Sequence, residues 1–318
     1  MAALAVVLGV SIVLALSMGS ESIELFSDDP RSRLILFTAR LPRTILAALV
    51  GMALASSGGA FQAILKNPLA DPFILGISGG AALGSVLAVG LGLPFFYIST
   101  LAFAGSIVAI FSIFFVVGFR GKFRAAELLL TGVVFNAFCF AMILFINAVV
   151  TMEEAYQILF LLIGNIEETG LETLAAVAVF VIAGFVALVF MSRRMNALLI
   201  GDDEARALGI DTTKLRAAVF FAASLMVGAA VAASGLIGFV GLFVPHAIRL
   251  VFGSDQRLLI PASGLAGASF LVLADAGART VLMNTGYATE LPVGVITAII
   301  GAPLFMVLLK RGMSRKYD

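Results

Sequence analysis

Apolar runs long enough to cross a bilayer recur along this chain, separated by short clusters of glycine, proline and charge. A helical crossing needs roughly 20 apolar residues. Hydropathy and punctuation predict ten of them, at 2–19, 44–65, 73–92, 95–118, 126–150, 172–191, 216–234, 236–252, 258–278 and 292–309. The seventh and eighth meet at Ser234-Gly235, a joint that hydropathy alone either merges or splits. The first run, Met1 to Met18, has no positively charged leader and is longer than the apolar part of a secretion signal, so it reads as a span. The pattern predicts an all-α polytopic membrane protein forming one transmembrane domain over 1–318.

Composition strengthens that reading. The chain is 61% hydrophobic and 12% charged, with a mean hydropathy of +1.13, and about twice that charged fraction clothes a soluble domain. A single cysteine, Cys139, and a single histidine, His246, leave no Cys/His metal cluster and no disulfide framework. His246 reads as a structural hydrogen-bonding group. No GxxxxGK[ST] phosphate loop and no Ser/His/Asp set occurs, so the chain is expected to be no enzyme and to bind no ATP, cofactor or metal of its own. A net charge of +1 gives no reason to expect nucleic acid.

Charge placement orients the spans. With the N-terminus inside, the cytoplasm receives Lys66, Arg120, Lys122, Arg124, Arg193, Arg194, Arg206, Lys214, Arg216, Arg249, Arg257, Lys310, Arg311, Arg315 and Lys316, which is 15 of the 20 basic residues. Only Arg31, Arg33, Arg40, Arg43 and Arg279 face out, as the positive-inside rule requires. Both termini are then cytoplasmic. Glu21, Glu24, Asp28, Asp29, Glu153, Glu154, Glu167, Glu168 and Glu172 fall outside.

Three constellations carry candidate chemistry. The first is external: Arg40-Leu41-Pro42-Arg43 opens the second span, and Arg279 reaches the same face from far along the chain. Such arginines either anchor helices at the headgroups or form a docking ring for carboxylates of a soluble partner. Asp275 precedes Arg279 by four residues, so the two share a helical face and can pair; a proton or cation relay is the rival use of that carboxylate. The second is internal. In Ile200–Ile210, Asp202 is a candidate N-cap, 203–208 is helix-forming, and Gly209 is a candidate stop before Asp211 caps a second short helix. Ala205, Leu208 and Ile210 would present a small apolar surface, either an ordinary connector or a knob for a partner's groove. The third is Gly235–Arg249, whose glycines and Pro245 suggest a bent or closely packed helix. Glycine ladders, Gly76/Gly80/Gly84 and Gly51/Ala55/Gly59, suit either close helix packing or a smooth pathway wall.

Several stretches resemble the permease subunits of bacterial type II ABC importers, the iron-chelate and vitamin B12 uptake family (FecCD type). They are RLPR at Arg40–Arg43, KNPLADP at Lys66–Pro72, LGISGGA at Leu75–Ala81, IGDDEARALGI at Ile200–Ile210, GLIGFVGLFVPHAIR at Gly235–Arg249 and ELPVGVITAIIGAP at Glu290–Pro303. The resemblance implies a homodimer of ten-helix subunits in the inner membrane of a bacterium or archaeon. Beneath it would sit two ATP-binding cassette subunits holding ATP and Mg, docked through Asp202, Asp203, Glu204, Ala205, Arg206, Leu208 and Gly209. Above it would sit a periplasmic or lipid-anchored substrate-binding protein whose acids meet Arg40, Arg43 and Arg279. The family often carries tryptophan before the Gly-Asn pair; here Leu161-Leu162-Ile163-Gly164-Asn165 stands, and the chain has no Trp.

For the pathway, Ser56, Ser57, Gly59, Gln62, Ser78, Gly79 and Asn136 are the expected lining, small or neutral groups that pass bulky cargo without a deep well. A naked transition metal would want imidazole or thiolate, so a chelated metal is the expected cargo, with ferric siderophore ahead of cobalamin and haem. An ion-coupled secondary transporter or a stand-alone channel are the rival classes.

Overall fold

The computed structural model of the protein describes residues 1–19, 29–118, 125–167, 170–282 and 290–314. Of the residues used above to orient the chain, Arg120, Lys122, Arg124, Arg315, Lys316, Glu21, Glu24, Asp28 and Glu168 lie outside that set.

Every described regular element is helical. A first apolar helix, α1 (Ala2–Ser17), is followed by α2 (Pro30–Ile35), which Asp29 starts by accepting from the Ser32 amide. A π turn, Leu36–Arg40, carries α2 without a break into α3 (Leu41–Ile64). Then come α4 (Ile77–Gly90), α5 (Phe95–Gly118), α6 (Ala125–Val149), α7 (Met152–Ile163), α8 (Leu171–Ile200), α9 (Asp202–Ala207), α10 (Thr212–Ser234), α11 (Val240–Phe252), α12 (Gln256–Thr280) and α13 (Val293–Ser314). Ten of these match the ten expected spans, and six are long and apolar enough to cross a membrane unaided.

Three boundaries differ for physical reasons. The third span begins at Ile77, because Pro68, Pro72 and an Asp71 side chain bonded to the Phe73 amide hold 66–76 in turns. The seventh and eighth spans are separate. Residues 235–239 leave the helix, with Gly235 at φ 66° and Phe239 at φ 69°. The expected bent helix over 235–249 is therefore a short helix behind a non-helical joint. Finally, α7 was not among the expected spans, although Thr151 and Glu154 form a reciprocal capping box at its start.

Helix α3 is the axle of the bundle. It is buried on nearly all sides and packs against α12, α10, α8 and α11, whereas α5, α6 and α8 turn Phe111, Phe115, Phe138, Phe145 and Phe190 outward. Both glycine ladders serve close packing, the first of the two uses considered for them. A Cβ at Gly51 would overlap the Gly267 carbonyl, and one at Gly84 would overlap that of Leu101. In lipid, where water does not drive helices together, such backbone contact is a main source of association. Gly267→Leu is expected to cost at least about 1–3 kcal/mol by overpacking, because the opposing atoms are the Ala55 Cβ and the Gly51 carbonyl, neither of which can rotate away. Gly277→Ala on the same helix meets open space and should be neutral or stabilising. Unfolding midpoints of both variants in detergent test the pair, and equal midpoints would refute the packing argument.

Candidate functional site

Two polar centres stand at opposite ends of α3. Its first turn carries Arg43, and its last residue, Ile64, accepts a bond at 3.2 Å from Arg216, which also holds Asp202. The 24 residues between span about 36 Å at 1.5 Å per residue. The two candidate docking regions therefore lie a membrane thickness apart, as a two-sided assembly needs.

At the first end, the three arginines are buried rather than displayed. Arg43 donates through Nε and Nη2 to one oxygen of Asp275 (3.1 and 3.0 Å) and through Nη1 to Glu290 (2.8 Å). Arg279 lies 3.1 Å from the other Asp275 oxygen, the pair one helical turn apart that the spacing predicts. Arg40 donates to the Leu16 carbonyl at 2.8 Å, and Arg279 reaches the carbonyls of Ala15 and Met18. These carbonyls are the negative end of α1, where cations are favoured. An open cationic ring is thus replaced by a closed cluster in which Asp275 is 1% exposed and Glu290 46%. The same end holds a cavity of about 1150 Å³ between α4, α5, α7, α8 and α10, lined by Glu153, Glu154, Glu167 and Glu172. Hydrogen bonds from Thr151 hold the Glu154 carboxyl below its ordinary range.

At the other end, Asp202 does not cap α9. It is the first residue of that helix, and its carboxylate is claimed by a bidentate Arg216 (2.9 and 2.7 Å) and by Lys66 (2.9 Å). Two distant cations outcompete the local backbone amides. Bonding to Arg216, then to Lys66, holds the Asp202 carboxyl at about 2. Gly209, at φ 77°, ends α9 as expected, with the Ile210 amide bonded back to Ala205. Asp211 caps the next helix through the Lys214 amide, but that helix is the long α10, so one short helix stands here and not two. Ala205 points inward and is fully buried, so it cannot belong to a docking knob; Asp203, Glu204, Arg206, Leu208 and Gly209 remain exposed.

Of the expected pathway lining, Ser56, Ser57, Gly59, Gln62, Ser78 and Gly79 are buried between helices of the subunit, and Asn136 is half-buried. Ser56 bonds back to Met52 and Ser57 to the Ala223 carbonyl on α10. Gln62 ties α3 to Leu242 and accepts from Arg249 at 2.8 Å. Gly59 packs on Leu259, Ser78 is buried, Gly79 sits under the Asn136 amide, and Asn136 donates to the Phe73 carbonyl. These groups fasten helices inside the subunit. His246 likewise makes no hydrogen bond among the described residues; its ring stands edge-on to Phe305 at 5.9 Å. No group of three or more metal-ligating side chains occurs among the described residues.

Comparison with known proteins follows the same outline. The profile of the FecCD transport family matches residues 1–311. The cobalamin import system permease protein BtuC of Halobacterium salinarum is 40% identical over 280 residues, covering 88% of this chain and 74% of that protein. The hemin transport system permease protein HmuU of Yersinia pestis is 37% identical, covering 86% of this chain and 82% of that protein. Among solved structures, an inward-facing metal-chelate type ABC transporter superposes with a TM-score of 0.89 at 32% identity, over 97% of this chain and 98% of that one.

Proposed function

Since the chain belongs to the FecCD transport family, we propose that it is the membrane-spanning subunit of an ATP-driven importer that carries a chelated metal inward by alternating access. The observation that carries this reading is the near full-length agreement of its backbone with a metal-chelate type ABC transporter. The separation of the two polar centres by the length of α3 supports it.

In this reading two copies of the chain sit in the cytoplasmic membrane, surrounded by lipid, with both termini inside. Two ATP-binding cassette subunits, which hold the ATP and Mg, engage α9 from below. A substrate-binding protein docks over the Arg43 end, and no nucleic acid takes part. The relatives named for cobalamin and hemin make a tetrapyrrole-type chelate the first cargo to test, ahead of the ferric siderophore favoured on sequence grounds.

The test is uptake into proteoliposomes holding this chain, its ATPase and its binding protein, with cobalamin, haemin and a ferric siderophore offered in turn. Uptake is expected for one class and to stop when the phosphate-loop lysine of the ATPase is removed. Uptake that continues without hydrolysis would favour the ion-coupled class instead.

A further inference from the structure

The closed cluster at the Arg43 end contains its own competitor. Arg43 and Arg279 face two carboxylates, Asp275 and Glu290, so the four-membered cluster is balanced. The two acids are not equivalent. Asp275 is 1% exposed and holds Arg43 through two of its nitrogens, while Glu290 is 46% exposed and meets only Nη1. Asp275 cannot leave, and Glu290 can.

We propose that Glu290 is an internal stand-in for a carboxylate of the docking partner, and that capture proceeds by exchange of the two on Nη1 of Arg43. This rests on the docking reading above and adds to it a built-in counter-ligand. With no partner present, Glu290 gives Nη1 of Arg43 a carboxylate that Asp275 does not reach, a modest gain because Glu290 is half-exposed. When Glu290 swings out, one positive charge is unmatched, and the incoming carboxylate restores the balance. Arg43 does not reorient during the exchange, because Asp275 still grips Nε and Nη2. The donor is therefore pre-aligned, which lowers the ordering cost of binding. The backbone beside Glu290 also stays in place, since the Leu291 amide is bonded to the Ala278 carbonyl at 3.2 Å. Only a side chain has to turn. The partner this fits is a soluble protein that presents an Asp or Glu on a protruding edge, long enough to reach a guanidinium 11% exposed.

The experiment measures capture of the purified binding protein by the assembled transporter in nanodiscs, for the native chain, Glu290→Gln, Arg43→Gln and the double variant. Glu290→Gln is expected to tighten capture by about two- to fivefold, the range that the weight of an exposed ion pair gives. The gain should vanish in the Arg43→Gln background. Unchanged or weaker capture by Glu290→Gln overturns the exchange, and so does a gain that persists without Arg43. If Arg43→Gln itself leaves capture unchanged, the docking reading fails and the exchange falls with it. Glu290 is half-exposed, so its single variant folds and decides the proposal even where Arg43→Gln does not accumulate.

Discussion

Asp275→Asn is expected to destabilise the subunit by about 3–5 kcal/mol, the usual cost of leaving a buried charge without its partner. Among the described residues, Asp275 is the one carboxylate paired with both Arg43 and Arg279, and both guanidiniums are nearly closed to solvent. Asparagine keeps an oxygen for Arg43 but removes the negative charge. Glu290 does not replace it, because it meets Arg43 at Nη1 alone and no contact joins it to Arg279 among the described ion pairs. Since a domain is stable by only about 5–15 kcal/mol, the loss should appear as a large fall in the denaturant midpoint of the purified subunit. Glu290→Gln is the control. Its half-exposed pair is worth at most about 1 kcal/mol, so the two variants should differ several-fold. Equal costs would refute the argument that Asp275 carries the charge balance of the cluster.

That cluster also marks the limit of what sequence can tell. Asp275 and Arg279 were legible as a pair because helical spacing alone brings residues four apart together. Nothing in the spacing shows Arg43 meeting Asp275 across 232 residues; only the packing of α3 on α12 does that. The ten spans were legible because lipid forces backbone polar groups to be satisfied within each segment, which leaves a strong hydropathy signature. The partners of the polar residues within those spans were not. Ser56, Ser57 and Asn136 are polar in an apolar run, but composition does not say which face they occupy, and each was satisfied by a nearby carbonyl. Gly209 and Asp211 obeyed local capping rules, whereas Asp202 obeyed electrostatics from Lys66 and Arg216. The capping box at Thr151 and Glu154 is the signal in the sequence that marks α7.

The Asp202 cluster leads to the second large effect, on transmission rather than stability. Arg216 bonds Asp202 at the head of α9 and, through Nε, the Ile64 carbonyl at the end of α3. Lys66, just beyond α3, closes the triangle. A push on α9 therefore reaches α3 and α10 together, and these two pack on one another within the bundle. Asp202→Asn keeps the fold of α9, which Ala205 anchors by burial, but removes the charge that joins the three elements. A charge-assisted bidentate pair is worth about 1.5–3 kcal/mol. Discounted to about 1–1.5 for its partial exposure, it sets the expected loss at up to about tenfold in cargo moved per ATP hydrolysed. ATPase binding and the hydrolysis rate should stay near native, and Asp202→Glu should restore part of the coupling. The folded carboxyl titrates near 2, below its ordinary value, so its contribution is full above about 4 and is lost as pH falls through about 2. The transport-to-hydrolysis ratio of the native complex should accordingly be flat between about pH 5 and 8 as far as this group is concerned. Native stoichiometry in Asp202→Asn would dismiss the triangle as a transmission element, and outright loss of the ATPase would reassign Asp202 to the docking surface.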